Sequence, residues 1–190
     1  MTKTASLETY KWEIFGQVTQ VLIQDEDLLI NLENKIKNNY NEDLSYKTNV
    51  KGKMTHWDFF LRDEHFKKVL SYYFKCLYNE GYWLSFFDKQ KDRYHTTVMN
   101  AWGNCLTKED HVIRHHHLGS DYASVLYFDD HAPLCTDAGE FKTKRGLVLT
   151  IPSYLFHWVK PLNKNITRYT LAWNWSFTKE WDNTNGEVLR

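Results

Sequence analysis

Cysteine is scarce in this chain: Cys76, Cys105 and Cys135 are the only three, and no two stand at CxxC spacing. An odd count without that spacing argues against both a disulfide framework and a thiolate zinc site, and leaves buried, idle thiols as the plain reading. A surplus of one charge is also lacking, since Lys plus Arg and Asp plus Glu number 24 each. No net field therefore exists to gather nucleic acid or anionic lipid over a distance. No run approaches the ~20 apolar residues that span a bilayer. The opening MTKTASLETYKWEIFG has neither the basic start nor the apolar stretch of a signal peptide. A cytoplasmic, reducing location is the expectation. There is no internal repeat and no low-complexity tract.

What the chain does have is apolar mass: 42% hydrophobic and 16% aromatic residues, too much for a disordered polymer. At 190 residues it fits one domain closed around a single core. The expected division is a helical front over 1–85 packed on a β-core over 86–180. Helical spacing of Leu28, Ile30, Leu32 and Ile36, with acids at the start and lysines at the end, predicts a helix from Asp25 to about Asn38. A polar loop with Gly52 follows, and then Phe66, Val69, Leu70, Tyr73 and Leu77 form the apolar stripe of a second helix, about Glu64 to Asn79. After Gly81 the runs YWLSFF, TTVMNAWGNCL, ASVLYF, GLVLTI and RYTLAWNWSF are β-branched and aromatic, with turn-forming segments between them at 88–92, 108–110, 131–139 and 161–165. Short strands at this spacing predict a sandwich or jelly roll, in a mainly β chain with N-terminal helices (α+β). The last dozen residues read as a loosely held tail.

Chemistry concentrates in histidine. Four of the nine, His111, His115, His116 and His117, fall within seven residues. If Arg114 to Gly119 is extended, His115 and His117 share a face and His116 points away. Two imidazoles on one face can share a metal; the bland alternative is a surface patch that titrates. Forty residues downstream GLVLTIPSYLFHWV brings His157 after an apolar strand. A third imidazole from a facing strand would complete a facial set of protein ligands with positions left open. A hydrogen-bonded core histidine is the alternative. Arg168 opens ITRYTLAWNW with Thr170 on the same face. An arginine turned into an apolar core needs a carboxylate, either a structural partner or a dicarboxylic ligand gripped bidentately.

The segments HHHLGSDYASVLYF, GLVLTIPSYLFHWV and RYTLAWNW together resemble the iron(II) and 2-oxoglutarate dependent oxygenases, in particular the small members common in phages and marine bacteria. The resemblance runs through Trp102 with Asn104, His115 to Ser120, Val125 with Tyr127, Gly146, Pro152 to His157, and Arg168 to Thr170, about Asn100 to Phe177. It implies a double-stranded β-helix, the cupin-like jelly roll, with helices outside and Fe(II) between the sheets on His115, His117 and His157. It implies 2-oxoglutarate as cosubstrate, its far carboxylate on Arg168 and Thr170, with Asn104 and Tyr127 adding hydrogen bonds. The implied reaction is hydroxylation of an unidentified small molecule or peptide with release of succinate and CO2, in a cytoplasm that would be the host's if the gene is a phage's. Trp102, Tyr122, Trp158 and Trp173 are candidate pocket walls.

This sequence departs from the pattern where the family's H-x-D/E carboxylate would stand, a place taken by His117. Ser124 replaces a frequent glycine and Thr170 the usual serine. A second framing takes His117, Leu118 and Gly119 as the H-x-G of iron halogenases, which leaves His115 without a role. Rival readings are a cupin-like metal protein or oxygenase that needs no 2-oxoglutarate, and a non-catalytic β-sandwich binding module. Lys142, Lys144 and Arg145 make a small basic edge, so a nucleic-acid partner stays open, but three charges do not favour it.

Overall fold

A computed structural model describes residues 5–12, 16–79, 94–163 and 165–179. Two helices, α1 (Glu26–Lys37) and α2 (Glu64–Asn79), lie where the apolar spacing predicts. Asp25 caps α1 by accepting from the Leu28 amide at 3.3 Å, and Asp63 does the same for α2 through the amides of His65 and Phe66. The α2 stripe is core: Phe66, Val69, Tyr73 and Leu77 are fully buried.

The strands are β1 (Ala5–Trp12), β2 (Gly16–Ile23), β3 (Val50–Lys51), β4 (Lys53–Met54), β5 (Tyr94–Leu106), β6 (His111–His115), β7 (Tyr122–Tyr127), β8 (Leu134–Thr136), β9 (Gly139–Phe141), β10 (Leu147–Pro152), β11 (His157–Val159) and β12 (Arg168–Lys179). Among the described residues they form two antiparallel sheets: a major one in the order β1-β2-β10-β7-β12-β5-β4, and a minor one in the order β3-β6-β11-β8-β9. This is the expected double-stranded β-helix.

The major sheet is buried on both faces, and the alternation along β12 shows how. Leu171, Trp173 and Trp175 join a core with Leu32, Ile36, Phe66 and Tyr73 of the helices. Thr170, Ala172 and Asn174 turn the other way, into a pocket shared with the minor sheet. A β-carbon on Gly103 would lie 2.5 Å from Ile36, so the missing side chain in β5 is what lets α1 settle against the sheet. Between Asn174 and Trp175 the β5–β12 register slips, leaving Met99 as an extra, exposed residue on β5.

The front of the chain departs from the helical expectation. β2 pairs with β10 over Leu147–Leu22 to Thr150–Thr19, and β1 pairs with β2, so the first residues extend the major sheet. The partner of β2 is remote in sequence, and no local periodicity announces such a pairing. Gly146 makes the docking feasible: at φ +82° its carbonyl accepts from the Ile23 amide at 2.8 Å. A β-carbon there would lie 2.3 Å from the Ile23 oxygen. The span 131–139, expected as a turn, contains β8 and the start of the β8–β9 hairpin. The expected YWLSFF strand, the turn at 88–92 and most of the C-terminal tail lie outside the described residues.

Candidate active site

β6 and β11 are neighbours in the minor sheet, with His157 registered directly opposite His115. β6 ends at His115, yet His117 is still held in place: its amide donates to the Ser153 carbonyl at 2.9 Å, and the Ser153 amide donates in turn to the Asp121 carbonyl. The chain leaving β10 through Pro152 therefore fixes the last histidine of the HHH run as well as delivering His157. The ring centroids of the three stand 4.3 Å (His115–His157), 5.0 Å (His115–His117) and 5.1 Å (His117–His157) apart. One ring nitrogen from each lies within 4.8 Å of the others.

Backbone carbonyls set the tautomers. Nδ1 of His115 contacts the Ile113 carbonyl at 2.7 Å, and Nδ1 of His157 contacts the Leu155 carbonyl at 3.0 Å. A carbonyl only accepts, so both Nδ1 atoms carry the proton and both Nε2 atoms present a lone pair. The Nε2 atoms of His117 and His157 are 3.3 Å apart, close to the ~3 Å expected for two nitrogens bound at right angles to one ion with bonds of ~2.1 Å. Burial, chiefly, pushes His157 down to about 3 and His117 to about 4, each also opposed by its imidazole neighbours. His115 is lowered for the same reason. All three are neutral at pH 7, the form that ligates. Three imidazoles suit iron, nickel, copper or zinc, and the donor set fits such an ion.

The same pocket contains Arg168, Thr170, Asn104 and Tyr127. Arg168 is 1% exposed, with its Nε 3.8 Å from an Asp129 oxygen, beyond hydrogen-bond reach. Asp129 spends its oxygens on the amides of His131 and Tyr169, and burial raises its pKa. The bland expectation of a structural partner is thus half met: a counter-charge lies near, but Nε and one terminal nitrogen of Arg168 have no hydrogen-bond acceptor. Such a buried guanidinium is costly unless a ligand completes it. Asn104 donates to Thr170 Oγ1 at 3.2 Å, which leaves the Thr170 proton free to donate elsewhere. The Tyr127 hydroxyl has no partner, and burial pushes it up to about 12, so it is a neutral donor. Donors without acceptors on three residues at one end of a pocket, Arg168, Thr170 and Tyr127, fit a carboxylate.

Other candidates fall differently. Trp102, Trp158 and Trp173 border the pocket, Trp173 with its ring packed against Phe66 and Tyr73 on the helix side, whereas Tyr122 lies outside the lining and stacks on Trp175. Ser124 Oγ also faces the helices, where it meets Thr150 and accepts from Trp175 Nε1 at 2.8 Å. Arg145 is engaged by Glu26, Glu33 and the Phe128 carbonyl, which removes it from the basic edge. Sequence spacing does not single out Asp129; its only signal is its place two residues beyond Tyr127. The cysteines are free and buried. No helix among the described residues is long and apolar enough to cross a membrane.

No family model and no curated protein matches the chain. Solved structures do. An oxidoreductase of the 2OG-Fe(II) oxygenase family from Burkholderia pseudomallei aligns over 78% of this chain and 77% of its own, with TM-score 0.54 and 11% identity. A prolyl-4-hydroxylase from Pseudomonas putida aligns over 92% and 93%, with TM-score 0.56 and 15% identity. HygX from Streptomyces hygroscopicus, solved with nickel and 2-oxoglutarate bound, aligns over 92% and 83%, with TM-score 0.55 and 9% identity. The chain has the double-stranded β-helix fold of these proteins.

Proposed function

We propose that the chain is an Fe(II) and 2-oxoglutarate dependent oxygenase that hydroxylates a small molecule or peptide. The observation that carries this reading is the coincidence, in one pocket, of three convergent neutral imidazoles with a buried arginine two of whose nitrogens lack an acceptor. Either feature alone has a structural explanation; together they match the two ends of a metal-bound dicarboxylate.

His115, His117 and His157 would hold the metal, and the carbonyls of Ile113 and Leu155 keep two of the rings turned toward it. Arg168, Thr170 and Tyr127 would bind the far carboxylate, with Asn104 orienting the Thr170 hydroxyl. When bound, the iron and cosubstrate supply the oxidising power for attack on a C–H bond. The chain's own contribution is to place these groups and exclude water from an apolar pocket lined by Trp102, Val125, Leu149 and Ile151.

Anaerobic titration with Fe(II), followed by assay of succinate and labelled CO2 from 2-oxoglutarate, tests the proposal. Metal binding without 2-oxoglutarate binding would favour the cupin-like alternative, and the absence of both would favour a non-catalytic module. The three-histidine set leaves the site one negative charge short of the usual triad. Occupancy by the dianionic cosubstrate should therefore tighten metal binding.

A further inference from the structure

We infer that the half of this pocket beyond the histidines, away from Arg168, is a subsite for an uncharged, amide-bearing group of the substrate, held by Asn174 and Trp102 with Asn100 at its edge. The inference rests on the oxygenase reading and names the substrate chemistry that reading leaves open.

Inward-facing residues of β12, β5 and β7 stack in levels set by their pairing, successive levels being about 7 Å apart along the strands. Arg168 faces Leu106 at the first level, and Thr170, Asn104 and Tyr127 share the second. Ala172, Trp102 and Val125 form the third, where Trp102 lies 6.3 Å from the His117 ring. Asn174, Asn100 and Ala123 form the fourth. The His117 ring thus lies beside the third level, with the Thr170 and Asn104 level on one side of it along the strands and the two asparagines on the other.

The far side carries its own unmet hydrogen-bonding demand. Asn174 is 8% exposed and Trp102 is 5% exposed, yet neither Asn174 Oδ1 nor Trp102 Nε1 has a partner. Asn100 Oδ1, registered opposite Asn174, has none either. Buried carboxamides and an indole N–H left this way are ready for a ligand that offers both a donor and an acceptor. An amide does so in one plane. No charged side chain stands at the third or fourth level of β5, β7 or β12, so a carboxylate or ammonium would be desolvated there without a counter-charge. Trp57 packs edge-on against Trp102 at 4.7 Å and reaches solvent, which gives the amide's apolar flanks a path inward.

The test uses protein loaded with Zn(II) and 2-oxoglutarate, which cannot turn over. The probes are N-acetyl amino-acid N-methylamides covering the twenty side chains, with the free amino acids and nucleosides as comparison sets. Binding is read from the indole N–H resonance of Trp102. One or more amides should shift that resonance saturably while the matched free amino acids do not. Asn174→Leu should raise the half-saturation at least fivefold and Asn100→Ala should raise it less, with zinc and 2-oxoglutarate titrations checking that each variant is folded. Asn174→Ser replaces Asn174→Leu if the latter fails that check. The subsite is overturned if no amide shifts the resonance, if only free amino acids or nucleosides do, or if the Asn174 variant changes half-saturation by less than fivefold. Failure of the unaltered chain to bind zinc and 2-oxoglutarate would instead sink the oxygenase reading, and this inference with it.

Discussion

The two faces of the major sheet treat polar side chains in opposite ways. Toward the helices, Tyr73, Thr150, Ser124 and Trp175 form a closed hydrogen-bonded group; Thr19 Oγ1 and Trp173 Nε1 are the exceptions. Toward the minor sheet, Arg168, Tyr127, Asn104, Trp102 and Asn174 each leave a buried polar atom unpartnered. Satisfied networks hold a fold together, whereas unsatisfied ones cost stability and persist where a ligand completes them. The difference separates the face of the β-helix that maintains the structure from the face left open to a ligand.

That contrast can be broken by substitution. His157→Ala should lower Ni(II) or Fe(II) affinity by at least about a hundredfold in anaerobic titration, since a lost ligand exceeds the roughly 10- to 100-fold cost of losing a ligand's supporting partner. Arg168→Met should weaken 2-oxoglutarate binding by about 2 to 5 kcal/mol, the cost of removing one partner of a desolvated charged pair. An unchanged half-saturation for succinate formation would remove Arg168 from the site. On the helix face, Ser124→Ala removes the hydroxyl that accepts from Trp175 Nε1 and should cost about 1 to 3 kcal/mol in urea denaturation, with 2-oxoglutarate affinity intact. Tyr127→Phe should show the reverse: unaltered stability without ligand, because its hydroxyl has no protein partner, and a loss of about 1 kcal/mol in cosubstrate binding. If Tyr127→Phe proved as destabilising as Ser124→Ala, the distinction between the faces would fail.

Acid should produce the smallest effect near neutrality. With His157 at about 3, His117 at about 4 and His115 lowered by burial as well, all three rings resist protonation below the ordinary imidazole range, and protons compete with metal only in acid. Metal affinity should change little between pH 7 and 5. Unfolded imidazoles take up protons from about 6.5. The stability contributed by keeping these groups neutral is therefore fully present above that value, and is lost as pH falls from it toward the folded values. Thermal unfolding across pH 7 to 4 measures this directly.

Much of this was legible where spacing is local. The α2 stripe, the alternation of Arg168 with Thr170, and the sharing of a face by His115 and His117 all follow from periods of 3.6 and 2. Pairing across long stretches of chain was not, which is why β2 and the short strands of the minor sheet carry no local signal. Tyr122, Trp158 and Trp173 are equivalent as aromatic residues in sequence; only the strand register decides that Trp173 faces α2 while Trp158 borders the pocket. Asp129 illustrates a further limit, because a carboxylate occupied by two amides looks in sequence like any exposed acid.

The bulge at Met99 sits in mid-strand, next to Asn100 and on its side away from the arginine. Because a bulge confines its disruption of the ladder to one place and bends the strand there, trimming or lengthening the strand at Met99 would re-aim the rim at Asn100 while the Thr170–Asn104 level kept its register. Single-residue insertions and deletions at this one point would thus alter the rim near Asn100 and Asn174 and leave the Arg168 end of the pocket as it is.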